Sequence, residues 1–234
     1  MKISVLSRAL PVLGLLTLQV ANASEQSVYD FLWLDPDKKV YVLQNKIHKK
    51  EKKVYFNAGI GKTVNADYQA VKNYVFQTGY FFHEEWGVEL LYMKYDNKDN
   101  TAFKNLQQVN TAYPFIRRMK QSYGALVTYA PFYGKINTFN KIVYFDWMFG
   151  AGVTRLEAEN NRETFASRAP DNVYKGEAYN ALALKTKLQF HLTKHTHINL
   201  ELINQHYRAP AAVNPNQKEL NTNTDAIISV GFSF

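Results

Sequence analysis

Apolar and polar residues alternate with a period of two along most of this chain, the signature of strands with one face in an apolar medium and the other not. The sixth such run, Tyr179 to Leu192, is the clearest: Leu182, Leu184, Leu188, Phe190 and Leu192 interleave with Ala183, Lys185, Lys187, Gln189 and His191. The same reading gives Lys53 to Val64, Ala70 to Phe82, Trp86 to Tyr95, Met119 to Ala130, Lys141 to Leu156, Thr196 to Tyr207 and Thr224 to Phe234. In the last run Ala226, Ile228, Val230, Phe232 and Phe234 share one face, with Asp225, Ser229, Gly231 and Ser233 on the other.

Eight runs are an even number, as a single-chain bacterial membrane barrel requires. The connections give an independent sign. His83–Glu85, Pro131–Asn140 and Thr193–His195 are short, whereas Asp96–Arg118, Glu157–Ala178 and Arg208–Asn223 are long and polar; Asn65 to Gln69 is the short exception on the long-loop side. Short turns alternating with long loops fit periplasmic turns and extracellular loops. A soluble sandwich gives no reason to sort its loops by parity. The expectation is an all-β fold: an eight-stranded antiparallel up-and-down transmembrane β-barrel over 53–234, preceded by a short N-terminal periplasmic extension over 24–52.

Residues 1–23 read as an export signal. Lys2 and Arg8 form a positive start, Ala9 to Val20 an apolar run broken by Pro11, and Ala21-Asn22-Ala23 a small-x-small cleavage site. That run is shorter than the roughly 20 apolar residues that span about 30 Å of hydrocarbon as a helix. Removal of the signal lowers the net charge from +8 to +6, a balance suited to outer-membrane lipid and lipopolysaccharide phosphates, with no nucleic acid expected for an exported chain. Aromatic residues make up 15% of the chain, and its 16 tyrosines suit a headgroup region where the ring meets lipid and the hydroxyl meets water. The chain has no cysteine, so strand pairing and a packed interior must stabilise it. In the extension, Tyr29–Pro36 and the basic run Lys49, Lys50, Lys52 and Lys53 suit either a solvated spacer or a docking peptide for a periplasmic or envelope partner.

An eight-stranded lumen is wide enough only for side chains. Lys120, Lys185, Lys187 and His191 point into it by parity, with Glu89, Asp146 and Glu201. Buried charges need partners, so Asp146 is expected near Lys185 or Lys187 and Glu201 near the same lysines. No cofactor, metal or catalytic residue is expected. Of the six histidines, only His206 falls near the extracellular rim where surface lipid is within reach. His195 and His197 share one face of a strand by spacing but are too few for a metal site.

The closing strand, with Val230, Phe232 and a terminal Phe234, resembles the signal by which the barrel assembly machinery recognises its clients. Val42–Lys46 leading into the first strand, Tyr80–Phe82 turning to Trp86–Glu89, Pro131–Lys135, and Asp146 followed by Gly150-Ala151-Gly152 resemble the outer-membrane β-barrel domain proteins of myxobacteria, predatory bacteria and relatives. In shape the chain is similar to small barrels of the OmpX type and the OmpA membrane domain. The resemblance implies the outer membrane of a Gram-negative bacterium. It leaves two functional expectations: a non-enzymatic barrel with a structural, adhesion or envelope-complex anchoring role, or a narrow channel for small solutes or ions.

Overall fold

The computed structural model describes residues 46–110, 113–138, 141–167 and 172–234. The export signal over 1–23 and the extension as far as Asn45, including Tyr29–Pro36, lie outside the described residues. Lys46 to Phe234 form one compact unit. Its strands are β1 (Lys53–Thr63), β2 (Gln69–Phe81), β3 (Trp86–Asp99), β4 (Arg117–Thr138), β5 (Lys141–Asn160), β6 (Lys175–His191), β7 (Thr196–Pro210) and β8 (Lys218–Ser233), with helices α1 (Thr101–Asn110) between β3 and β4 and α2 (Arg162–Ser167) between β5 and β6. Each strand pairs antiparallel with its sequence neighbours, and β1 closes on β8 from Tyr55 opposite Ser233 to Thr63 opposite Asp225. The result is a closed, all-antiparallel, eight-stranded up-and-down barrel.

The alternation maps directly onto the two sides of this wall. Ile60, Phe76, Leu90, Val153, Leu184 and Val230 lie exposed on the outside, while Asn57, Gln77, Glu89, Lys185, Asn199 and Ser229 are buried within. The outer apolar runs, such as Tyr74–Phe82 and Leu182–Leu192, match the ~9–11 residues a tilted strand needs to cross a bilayer. Their turn-side edge carries paired aromatics, among them Trp86 with Tyr129, Phe132 with Trp147 and Phe232 with Phe234. Toward the loop side the outward Tyr92 and Tyr123 hydroxyls donate to Gln121 and Glu157, an arrangement suited to an interface where ring and hydroxyl want different media.

Four strands run well past their apolar stretches. β3 continues through Asp96-Asn97-Lys98-Asp99, β5 through Glu157 to Asn160, β6 starts at Lys175 and β8 at Lys218. Beyond the apolar band both faces of a strand meet water or protein, so alternation fades there while pairing persists. β4 extends through Pro131–Thr138, expected as a turn, to pair with Lys141–Trp147. Pro131 fits because it lies in a register shift between Tyr129 and Phe132, where its missing N–H interrupts no regular ladder position. α1 begins where the Asn100 side chain accepts from Phe103 N at 3.0 Å, a capping oxygen for a free backbone donor.

A second bulge corrects one inward assignment. Met119 pairs with Ala158 and Gln121 with Glu157, leaving Lys120 without a partner position. The extra residue shifts the parity of β4: Met119 and Ser122 both face inward, and the Lys120 side chain is 56% exposed near Glu159. Lys120 therefore lies outside the lumen.

Gly152 is required by close approach of β4 and β5, since a Cβ there would lie 2.1 Å from the Ala125 carbonyl oxygen and 2.6 Å from Leu126 Cα. At Gly176, farther along the wall, a Cβ meets nothing within 4 Å. Gly152→Val is expected to abolish or sharply lower the folded fraction read by heat-dependent gel mobility, and Gly176→Val to leave it unchanged; equal behaviour of the two contradicts this packing account.

Candidate functional site

The lumen is filled in layers. An apolar cluster of Val75, Leu91, Met93, Leu126, Ile203 and Ile227 occupies the loop-side half, and a smaller one of Tyr55, Phe81, Ala130 and Met148 the turn side. Between them sits a buried ionic cluster carried by the neighbouring strands β6 and β7 and by β3 across the lumen. Lys185 on β6 reaches Glu89 on β3 at 2.6 Å and Glu201 on β7 at 2.7 Å, and Lys187 stands 3.5 Å from Glu89. The inward parity of each strand selects these residues, and cross-barrel reach brings them together.

Glu89, Lys187 and Glu201 have further partners. Tyr55 donates its hydroxyl to Glu89 at 2.7 Å, and its ring lies 4.7 Å from the Lys187 ammonium. Gln77 and Ser229 each donate to Glu201 at 2.7 Å. Two ammonium groups and two carboxylates balance in charge, with side-chain exposures of 1% or less. An uncompensated ion here costs several kcal/mol, so the cluster is stable only as a set.

Asp146 lies elsewhere. It is buried near the turn-side mouth and accepts from Lys50 and from His191 Nε2, the latter at 2.7 Å. Its backbone partner on β6 is Gln189, one inward step beyond Lys187 toward the turns, so Lys185 and Lys187 lean away from it to Glu89. The expected pairing of Asp146 with either lysine is thus replaced by one with Lys50, which precedes β1 and is only 5% exposed. Lys50 is accordingly no solvated spacer. Glu84 in the β2–β3 turn accepts from the Lys50 and Glu51 backbone N–H groups at 2.9 and 3.1 Å and pairs with Lys46 at 2.8 Å. These contacts draw Lys46–Glu51 across the mouth. Partial burial alone raises the Glu84 carboxyl, but Lys46 and the two N–H groups outweigh it and hold the group below its ordinary value.

His48 in the same segment stacks on His191 with ring centroids 4.2 Å apart. His197 lies buried below, its Nε2 2.8 Å from Asn57 Oδ1, whereas His195 is exposed and stacks on Phe232. The two histidines thus do not share a face as their spacing suggested, because His195 sits in the turn before β7. Among the described residues no group of three or more His, Asp or Glu side chains is arranged to hold a metal ion.

One buried group escaped the sequence reading. Asp225 on β8 accepts from Thr63, Asn73, Tyr95 and Asn223 at 2.6 to 2.9 Å, a carboxylate held by neutral donors without a cation. Its inward parity was visible, but its partners come from three other strands. At the loop-side mouth, a cavity of about 330 Å³ is lined by Gln69, Asn97, Phe115, Arg117, Tyr207 and Asn223, among others. The expected assembly-signal residues Val230, Phe232 and Phe234 face outward at the turn-side end, exposed.

No family model matches the chain, so nothing there supports the likeness to myxobacterial and predatory-bacterial barrels, and no curated protein matches. Among solved structures, the N-terminal β-barrel domain of Pseudomonas aeruginosa OprF aligns with 14% identity and a TM-score of 0.48, over 79% of this chain and 98% of that one. The outer membrane protein OprG from the same organism gives 16% and 0.45, over 80% and 98%. Ail, the attachment invasion locus protein of Yersinia pestis, gives 14% and 0.41, over 79% and 99%. The fold assignment rests on the strand pairing of the chain itself.

Lys185→Met takes the cation from Glu201, leaves two buried carboxylates to one ammonium, and is expected to cost about 3–5 kcal/mol in urea unfolding from micelles. Adding Glu201→Gln leaves one lysine with one glutamate and restores most of that loss; a double variant as weak as the single contradicts the charge-balanced set. Acid acts at the other site. Burial first, and His191 beside it, lower His48 from 6.5 to about 4. Its unfolded form takes a proton more readily, so its contribution to folding is complete above pH 6.5 and is lost as pH falls from 6.5 toward 4. A spin label replacing exposed Lys49 is expected to gain mobility across that window, and the gain to shrink when His48→Gln is added; equal gains with and without His48 contradict it.

Proposed function

We propose that the chain is a non-enzymatic integral protein of a Gram-negative outer membrane whose barrel anchors the loop-side elements at the cell surface and keeps its own lumen shut. The observation that carries this reading is the interior. A charge-balanced cluster of Glu89, Lys185, Lys187 and Glu201 fills the middle of the barrel, apolar layers flank it, and Lys46–Glu51 covers the turn-side mouth through Glu84 and Asp146. Side chains so placed obstruct a water path along the barrel axis. The apolar outer band supports residence in lipid, because a closed barrel satisfies its backbone internally and leaves only side chains to the hydrocarbon.

Orientation follows from the connections. The turn side has tight links such as Phe82–Glu85 and Leu192–His195, while the opposite side carries α1, α2 and the longer segments, as expected for periplasmic and extracellular ends respectively. On this reading residues 1–23 direct export, the barrel assembly machinery inserts the chain through the β8 end, and the surface elements serve adhesion, an envelope complex or envelope stability. Of residues 24–52, the part ahead of Lys46 is then the part offered to an envelope partner on the periplasmic side, since Lys46–Glu51 is engaged at the mouth.

Planar-bilayer recording of the refolded mature chain separates this reading from a narrow channel. Little steady current is expected at neutral pH, with brief openings at most; sustained unitary steps overturn the plug and favour solute or ion passage.

A further inference from the structure

The outer wall carries an unpaired cluster of cations at one edge of its apolar band. Lys62 on β1 lies directly across from Lys72 on β2, and Lys94 on β3 lies across from Tyr74, one outward position from Lys72. All three side chains are exposed, and none has a salt-bridge partner among the described residues. Asp96 is the one acidic residue in register with them, across from Lys72, and leaves the group with an excess of two positive charges. Like charges directly opposed on neighbouring strands disfavour pairing, so the arrangement is relieved by an anion seated between them.

The position says which anion. One outward step toward the barrel middle, the residues below the lysines are Ile60, Tyr74 and Tyr92. Ile60, Tyr74, Ala226 and Ile228 line a shallow, mainly apolar groove of about 580 Å³ that Lys62 and Lys72 close at its loop-side end. A groove for hydrocarbon capped by ammonium groups complements a lipid with a phosphorylated head. The opposite edge of the band differs: Val54, Phe82, Trp86 and Phe234 border it, with aromatic rings where the loop side has lysines. Lysine suits the task, since a flexible ammonium meets a phosphate as a point charge without a fixed approach.

We propose that Lys62, Lys72 and Lys94 clamp the phosphate of an anionic lipid whose acyl chain lies in the groove below; resting on the outer-membrane reading above, that lipid is lipid A. The clamp fixes the depth of the barrel in the leaflet and joins β1, β2 and β3 beside the closing seam with β8.

The test uses the full mature chain folded in neutral detergent micelles, with its thermal unfolding midpoint measured against added bisphosphorylated lipid A, dephosphorylated lipid A and inorganic phosphate. Bisphosphorylated lipid A is expected to raise the midpoint saturably, with the other two giving little. Each Lys→Gln change at 62, 72 or 94 is expected to weaken the apparent affinity about fivefold. Lys104→Gln with Lys135→Gln and Lys218→Gln, which removes three charges elsewhere against one in each test variant, leaves it unchanged. The clamp is overturned if the control set weakens binding as much, if dephosphorylated lipid A acts equally, or if inorganic phosphate alone gives the full shift. Membrane fractionation keeps the two readings apart. An outer-membrane protein indifferent to lipid A sinks the clamp alone, and a lipid A-dependent protein found in another membrane sinks the location alone.

Discussion

The structure depends on one constraint, met by closing the sheet on itself: every backbone N–H and C=O within the apolar band finds a partner inside the protein, as the proposed residence in hydrocarbon demands. β1 and β8 supply the last of these partners to each other, Phe56 opposite Phe232 and Ile60 opposite Ile228. Without that seam two strands present a row of unpaired polar groups to lipid. Close approach at the wall, as at Gly152, and tight turns at one end serve the same closure. The side chains are then released from holding the backbone in place, and the two faces diverge completely in character.

That divergence creates a second requirement within. A lumen lined by the polar half of each strand holds ions away from bulk water, and the protein answers with sets rather than pairs. Lys185 is shared by Glu89 and Glu201, Asp146 by Lys50 and His191, and Asp225 takes four neutral donors. The residues that carry charge in the interior are the same ones that fill it, so the architecture and the proposed plug have a common physical origin. Outside, Lys62, Lys72 and Lys94 stand together at the loop-side edge of the apolar band, the place proposed above for a lipid phosphate.

The period of two made the wall legible, because lipid on one side and a packed lumen on the other impose opposite demands on successive residues. Strand number, facing and the inward position of Glu89, Lys185, Lys187 and Glu201 follow from it. Where that contrast ends, so does the signal: the polar continuation of β3 through Asp99 and of β8 back to Lys218 has water on both sides and reads as loop. Lys120 misled because one bulged residue reverses parity without leaving a mark in the pattern. The partner of Asp146 was hidden for a different reason. Lys50 reaches it only because Glu84, in a turn more than thirty positions away, holds the preceding segment across the mouth, and such folding back has no periodicity to betray it.

The central claim is that successive residues of each strand face lipid and interior in turn. The absence of cysteine allows single spin labels along β3 from Val88 to Met93 in a reconstituted bilayer, read for collision with lipid-dissolved oxygen. Access that is high at Val88, Leu90 and Tyr92 and low at Glu89, Leu91 and Met93 is the predicted result. Uniform access along the strand, or a period near 3.6, contradicts a lipid-spanning barrel.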